Sequence, residues 1–478
     1  MKENSMSEAV DEKTGAAAPE TGVKAADAGQ EDMQGTEKQE KSKPGWDELM
    51  ADPEYKSCFD SRVQEIVRKR LRDRHGSEET LGRLRPVLEA LGEKYGFATE
   101  NHAYYCGSIL YGDAEKELGI VTHLDVVPAS KEGWTGDPFT LLRDGDLLIG
   151  RGTEDDKGPF IASLYTLRFL KETRRALPFA VRLILGCDEE SGCTDLAHYL
   201  SVRSAPFFAF TPDSEYPVCI GEKGMYGFDL VVPCDVGTEI TGGSAPNAVP
   251  ASARAVLRAC ADPGVLLYDE QITLESAAGE TAVHAEGLTA HAAMPESGVN
   301  AIGALCRYLA ANRLDGSAGV RFLAESCSEY LGKSFGIDCS DDAFGYLTCV
   351  GSTVHTREGM LVQNYNVRYP MSADIGEIRR RVAEKAASLG GRVENESVSA
   401  GYYKDPDSAE IRALTEACGT VLGGPCAPYT MGGGTYARHM PGTVAFGAAI
   451  PALRGLRGEG RGGAHQVDSL LGIAEAQS

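Results

Sequence analysis

Residues Gly150-Arg151-Gly152-Thr153-Glu154-Asp155-Asp156-Lys157-Gly158-Pro159 decide how this chain is read. The residues before them, Leu147, Leu148 and Ile149, are strand formers; glycines then break the run, two adjacent carboxylates follow, and a helical pattern starts at Lys157. Carboxylates at a strand end, ahead of a helix, point into a cleft. About thirty residues upstream, Gly119-Ile120-Val121-Thr122 reads as a buried strand whose tip carries His123 and, two residues on, Asp125 facing the same side. Together the two stretches can bind a cation and orient its ligand, so they read as half of a metal site.

Working outward, Lys157 to Leu170 reads as a helix with Phe160, Ile161, Leu164 and Leu167 on one stripe, built to pack on a sheet. Ala180 to Leu185 is a buried strand followed by Asp188-Glu189-Glu190-Ser191-Gly192 and a helix through Leu200, and the strand Pro206 to Phe210 ends in Thr211-Pro212-Asp213. Strands that alternate with helices and end in acidic residues imply an α/β sheet with its chemistry at the carboxyl ends of the strands. Upstream, the spacing predicts helices over Trp46 to Arg74 and Glu79 to Tyr95, strands near Ser108 to Tyr111 and Gly119 to Thr122, and a hairpin around Asp144-Gly145. Beyond Gly224 the texture changes to polar-alternating strands (Met225 to Val232, Thr281 to His284, Val350 to His355, Leu361 to Tyr369), with helices near Asn300 to Asn312 and Val320 to Leu331. This reads as an inserted α+β unit. The amphipathic helices Asp374 to Leu389 and Ala409 to Leu422 and the strand Thr443 to Phe446 are read as a return to the first unit.

At 478 residues the chain exceeds what one hydrophobic core usually organises. Its 70 acidic against 47 basic residues, a formal net charge of −23, argue against nucleic acid or an anionic membrane as partner. Thirteen scattered cysteines without a CxxC pair read as reduced thiols of a cytoplasmic protein. Residues 1–44, rich in Glu, Lys, Ala, Gly and Gln and without the apolar core of a signal peptide, read as a disordered acidic tail. No apolar run approaches the roughly 20 residues that span a bilayer.

Five motifs occur in order: His123-Leu124-Asp125-Val126-Val127-Pro128, Gly150 to Pro159, Asp188 to Gly192, Phe210-Thr211-Pro212-Asp213, and Gly432-Gly433-Gly434-Thr435-Tyr436-Ala437-Arg438. Together they resemble the M20 family of dinuclear metallopeptidases, and within it the dipeptidase branch, over about residues 46 to 470. The resemblance implies a zinc-peptidase-like α/β catalytic domain, a mixed central sheet flanked by helices, with an inserted α+β lid domain. On the sequence texture, residues 45–223 and 372–478 form the catalytic domain and residues 224–371 the lid.

Hydrolysing an amide with water needs a nucleophile generated near neutral pH and charge at the carbonyl oxygen, and two close cations supply both. Two adjacent sites need a shared ligand, and a carboxylate has two oxygens; Asp155 is the candidate bridge, as the resemblance also implies. His123 and Asp213 would complete one site, Glu190 and His465 the other. Such donors suit two zinc ions, with manganese or cobalt also fitting. By resemblance Glu189 is the general base, Asp125 fixes the His123 tautomer, and the peptide Asp155-Asp156 is cis. In the lid, Gly287 to Pro295 and Gly298 to Ala301 match the family's motif, which makes His291 the candidate oxyanion stabiliser. Asn247 and Arg368 match substrate-holding positions, the arginine gripping a terminal carboxylate, and the Gly432 to Gly434 loop, Gly433 and Gly434 included, brings backbone amides to the same group.

Alone, His123 would read as a structural histidine; the Asp-Asp-Lys-Gly downstream at family spacing changes that. Near the end the likeness thins: His465 is kept, but Ser469 stands where the family carries a glutamate. Gly332-Lys333-Ser334-Phe335-Gly336 spells a nucleophile elbow, yet it follows a helical segment where that motif needs a strand. The expectation is a metal-dependent dipeptidase, monomer or homodimer, acting on peptides with free amino and carboxyl termini. An N-acyl-amino-acid deacylase is the alternative, and a binding protein that kept the fold without catalysis is the third reading.

Overall fold

The computed structural model describes residues 88, 91–92, 94–103, 105–235, 237–257, 270–277, 280–450, 453, 455–458 and 460–472. The expected tail over 1–44, the helix Trp46 to Arg74 and most of Glu79 to Tyr95 lie outside them.

In chain order the strands are β1 (Ala98–His102), β2 (Cys106–Tyr111), β3 (Glu117–His123), β4 (Leu142–Asp144), β5 (Leu147–Ile149), β6 (Ala180–Gly186), β7 (Phe208–Thr211), β8 (Ser214–Glu215) and β9 (Val218–Glu222). They continue with β10 (Gly224–Pro233), β11 (Thr238–Gly242), β12 (Ser252–Leu257), β13 (Ile272–Ala277), β14 (Glu280–Glu286), β15 (Ser340–Asp341), β16 (Gly345–Tyr346), β17 (Thr348–Arg357) and β18 (Met360–Tyr369). The last are β19 (Arg392–Ser399), β20 (Tyr402–Tyr403), β21 (Tyr429–Met431), β22 (Thr443–Phe446), β23 (Ala448–Ala449) and β24 (Leu470–Gly472). The helices are α1 (Gly158–Glu172), α2 (Thr194–Val202), α3 (Ala301–Ala311), α4 (Ala318–Ser326), α5 (Ile375–Ser388) and α6 (Ala409–Leu422).

The first sheet has nine strands, ordered β1-β2-β6-β3-β7-β22-β9-β20 with β21 also on β9. Its centre, β6-β3-β7-β22, is parallel, and the pairs β1-β2, β2-β6 and β22-β9 are antiparallel. Every residue of β6 is buried, as a parallel strand covered on both faces requires. Alternate residues serve opposite faces: Ile120, Leu183 and Leu185 join Phe160, Ile161, Leu164 and Leu167 of α1, whereas Val121 and Ile184 join Leu196 and Tyr199 of α2. Arg182, in the middle of β6 and 1% exposed, is tolerated because Glu117 grips it with two hydrogen bonds of 2.6 Å.

The second sheet has eight strands, all pairs antiparallel, ordered β13-β14-β12-β11-β17-β18-β10-β19. Leu305 and Leu309 of α3, Val320 and Leu323 of α4, and Ile378, Val382 and Ala386 of α5 share one core with it. This corrects the expected return at residue 372. The chain leaves the first sheet after β9 and regains it at β20, because β19 pairs with β10 and α5 packs on these two strands. Helix α4 ends at Ser326 rather than 331: the Glu329 carboxylate accepts the amides of Leu331 (2.8 Å) and Ser334 (3.1 Å) and forms a turn in place of further helix. The same carboxylate accepts the Ser334 hydroxyl at 3.1 Å, so the serine of the elbow-like stretch serves that turn.

A three-stranded sheet, β24-β5-β4, joins segments far apart in sequence. Ile149 pairs with Leu470, and the Gly150 amide donates to the Ser469 carbonyl at 2.9 Å. The strand leading into Asp155 is thereby tied to the strand that follows His465. No helix among the described residues is long and apolar enough to cross a membrane.

Candidate active site

The register of the first sheet assembles the site. His123 ends β3 opposite Gly186, the last residue of β6, so the β6 turn carrying Glu189 and Glu190 opens at the same sheet edge. Asp213 follows β7, which runs parallel beside β3. Asp155 lies in the turn Thr153–Lys157 ahead of α1, and its peptide to Asp156 is cis.

Two groups of potential ligands result, His123 with Asp155 and Asp213, and Asp155 with Glu190 and His465, each with its atoms within 4.8 Å of one another. Asp155 belongs to both through different oxygens: Oδ1 is 2.9 Å from His123 Nε2, and Oδ2 is 3.0 Å from His465 Nε2. Asp213 Oδ2 lies 3.7 Å from His123 Nε2, and Glu190 Oε2 3.4 Å from His465 Nε2. Asp125 faces the other ring nitrogen of His123, with Oδ1 3.3 Å from Nδ1. The same carboxylate accepts the amides of Glu189 (3.3 Å) and Glu190 (3.1 Å), so one side chain orients both the imidazole and the acidic turn. Asp156 accepts the His123 amide at 3.1 Å, and Glu190 Oε1 accepts the Val127 amide at 3.2 Å.

Electrostatically the site is short of positive charge. Burial, then Asp213, holds the Glu189 carboxyl well above the usual range, and burial with Asp155 pushes Asp213 up to about 7. Burial opposes a proton on His465, but Asp155 and Glu190 prevail and raise it to about 11; Asp125, Asp155 and Asp213 likewise hold His123 well above its ordinary value against burial. Lys157, buried beside them, is lowered to about 8 by burial. His123 Nε2 and Asp155 Oδ1, close as they are, are buried with no hydrogen bond of proper geometry. Divalent cations between these atoms would satisfy both the unmade bonds and the charge, and imidazole with carboxylate donors matches such ions. These residues therefore fit a pair of cations.

Of the residues expected to hold substrate, Asn247, His291 and Arg368 lie on the second sheet and its loops, and Gly433 and Gly434 follow β21 of the first. His291 bridges to Ala248, and the Asn247 carbonyl accepts the Ala292 amide at 2.9 Å, so the two loops run side by side with the Asn247 side chain exposed. The rim of His291 is exposed, yet enough protein surrounds the ring that burial, reinforced by the positive charges of Arg368 and His465, lowers it to about 4. His291 Nδ1 accepts the Ala293 amide at 3.3 Å, which leaves the proton of the neutral ring on Nε2. Arg368, 4% exposed, donates Nε to Asn366 Oδ1 (2.8 Å) and Nη1 to the Gly432 carbonyl (2.6 Å), and Nη2 has no partner among the described residues. The amides of Gly433 and Gly434 likewise donate to nothing among the described residues.

Sequence reasoning missed the supports of this site. Buried Glu222 accepts the Thr435 hydroxyl (2.7 Å) and Arg438 Nε (2.9 Å), while Arg438 Nη2 donates to the Gly433 carbonyl (2.8 Å), which shapes the glycine loop. Arg438 lay in a quoted motif; Glu222, a lone acid closing a strand, offered no signal. Asp468 and Arg151 hold the His465 loop; Arg151 lay in the quoted Gly150 to Pro159 stretch without a role, and only closeness in sequence to His465 could have pointed to Asp468.

The chain matches the sequence profile described as Peptidase family M20/M25/M40 over residues 119–473. A Bacillus subtilis (strain 168) protein described as "Putative dipeptidase YtjP" is 32% identical over 411 residues, covering 82% of this chain and 86% of that one. A Staphylococcus epidermidis protein of the same dipeptidase description is 32% identical over 385 residues, 75% of this chain and 81% of its own. Among solved structures, the dipeptidase Dug1p of Saccharomyces cerevisiae and human carnosine dipeptidase 1 each superpose with a TM-score of 0.52 at 14% identity. Each likeness covers 89% of this chain and 94% or 95% of the other, and shows a shared fold.

Proposed function

The chain belongs to peptidase family M20/M25/M40, and on that premise we propose that it hydrolyses dipeptides with free amino and carboxyl termini, using two divalent cations bridged by Asp155. The observation that carries this reading is the divided use of Asp155, one oxygen toward His123 and the other toward His465. His123 and Asp213 would hold one cation, Glu190 and His465 the second, zinc being the best-suited ion with manganese or cobalt also accepted. Bound there, the cations would supply positive charge that acidifies water and polarises a carbonyl.

The protein's own groups do the rest. Arg368 Nη2 and the free amides of Gly433 and Gly434 receive the terminal carboxylate, with Asn247 at the facing loop. Glu189, which the charge of bound cations would keep ionised against its burial, takes a proton from the attacking water and returns it to the leaving amine. His291, neutral above about pH 4, donates Nε2–H to the oxygen on which charge develops. The described cysteines are all free thiols, which supports a reducing compartment such as the cytoplasm.

The test is a dipeptide panel run on metal-replete protein, each member paired with its N-acetylated form. Hydrolysis confined to free-amine dipeptides is expected. Preference for the acylated forms would replace this reading with the N-acyl-amino-acid deacylase, and no turnover of either set would end it.

A further inference from the structure

One buried cation beside the site has no role in that scheme. Arg151 is 5% exposed and forms no ion pair with any described residue. Its Nη1 donates to the Ala464 carbonyl and its Nη2 to the His465 carbonyl at 3.2 Å, so a planar fork grips two consecutive main-chain oxygens. The guanidinium carbon sits over the Trp134 ring, 5.3 Å from its centroid, and the Arg151 amide donates to the Pro138 carbonyl at 2.7 Å. Both ends of the clamp are thus fixed before it meets the loop.

The gripped peptide needs such support. The His465 side chain is 47% exposed, and its loop contains Gly458, Gly460 and Gly462, all at positive φ. Apart from the Arg461–Val467 bridge, the described residues of this segment form no ladder of their own. The Arg151 charge also lies close enough to Asp155 and Glu190 for both to favour its protonated form against burial.

We infer that Arg151 is a positioning residue: it clamps the main chain at 464 and 465 so that His465 meets Asp155 and Glu190, and so sets the affinity of the second cation site without touching the first. The inference rests on the proposal that Asp155, Glu190 and His465 hold a cation, which the experiment also checks. Arg151→Lys keeps the charge, but a single ammonium cannot reproduce the fork. Metal-free wild type, Arg151→Lys and His465→Ala are titrated with Zn2+ by calorimetry, and exchange of the Gly462 and Gln466 amides, which donate to Val467 and Gly463, is followed by mass spectrometry.

Wild type should bind two ions and His465→Ala one. Arg151→Lys should bind the second ion about tenfold more weakly with the first unchanged, and its loop amides should exchange about tenfold faster. Wild-type affinity at both sites, or equal weakening of both, overturns the inference. If His465→Ala still binds two ions, the second-site reading itself falls and the inference falls with it. Should Arg151→Lys not fold, Trp134→Leu removes the platform while leaving the arginine, and must shift the second site alone.

Discussion

The two halves of the site are held by different means. His123 and Asp213 issue from neighbouring parallel strands of a buried sheet, and the His123 side chain is 0% exposed. Ladder hydrogen bonds fix their separation. His465 instead rides a glycine-rich loop, half open to solvent, located by side chains: Arg151 on its carbonyls, and Asp468 on Thr135 (amide 2.9 Å, hydroxyl 2.6 Å) and Arg461 (2.5 Å). Sheet pairing gives rigidity that single substitutions seldom remove, whereas a tethered loop can be loosened one bond at a time. The difference implies that the second site can be tuned without disturbing the first.

The largest test breaks the residue common to both halves. Asp155→Ala should abolish retention of both cations after dialysis, measured by elemental analysis, and take peptide hydrolysis to background. Retention of one full equivalent would show that the halves are independent, and that Asp155 is no bridge. A smaller effect should separate them. Asp468→Asn leaves the volume but removes the charge that meets Arg461 and Thr135, costing about 1.5–3 kcal/mol of stability. It should weaken the second cation about tenfold with the first unchanged. Equal losses at both sites would erase the distinction between sheet and tether.

The sheet-held half was readable because its residues sit in short local motifs, each a strand end followed by a turn. His123 after Gly119-Ile120-Val121-Thr122, or Asp213 after the strand Pro206 to Phe210, carries its own context. The tethered half depends on Ile149 pairing with Leu470 across most of the chain, which no window of sequence contains. The same limit misplaced the return to the first sheet: the stripe Ile378, Val382 and Ala386 proves an amphipathic α5 but not which sheet it covers. Strand β12 went unread because its buried positions include Ala253 and Ala255, whose small side chains give a weak alternating signal. That His291 would lie near His465 is likewise a product of how the two sheets meet, and composition holds no trace of it.

Acidity offers the finest separation of the halves, in protein stripped of metal. Asp213 is pushed up to about 7 by burial and by Asp155, above its ordinary 3.8. A raised folded-state pKa means the folded protein holds the proton more tightly, so this contribution to stability is complete below about pH 4 and is lost as pH rises through about 7. His465, raised to about 11 from 6.5, loses its contribution only between those values, and its half-exposed ring is screened by solvent. From pH 4.5 to 7 the melting temperature of metal-free wild type should therefore fall relative to Asp213→Asn, which has no charge to bury. The gap should be on the order of 4 kcal/mol at neutrality, about three pKa units at 1.36 kcal/mol each, and vanish near pH 4. Adding Zn2+ should reverse it, since the cation needs the ionised carboxylate and asparagine is the poorer ligand. Parallel melting curves for the two proteins across this range would mean that Asp213 ionises freely, and that the sheet-held half is not starved of positive charge.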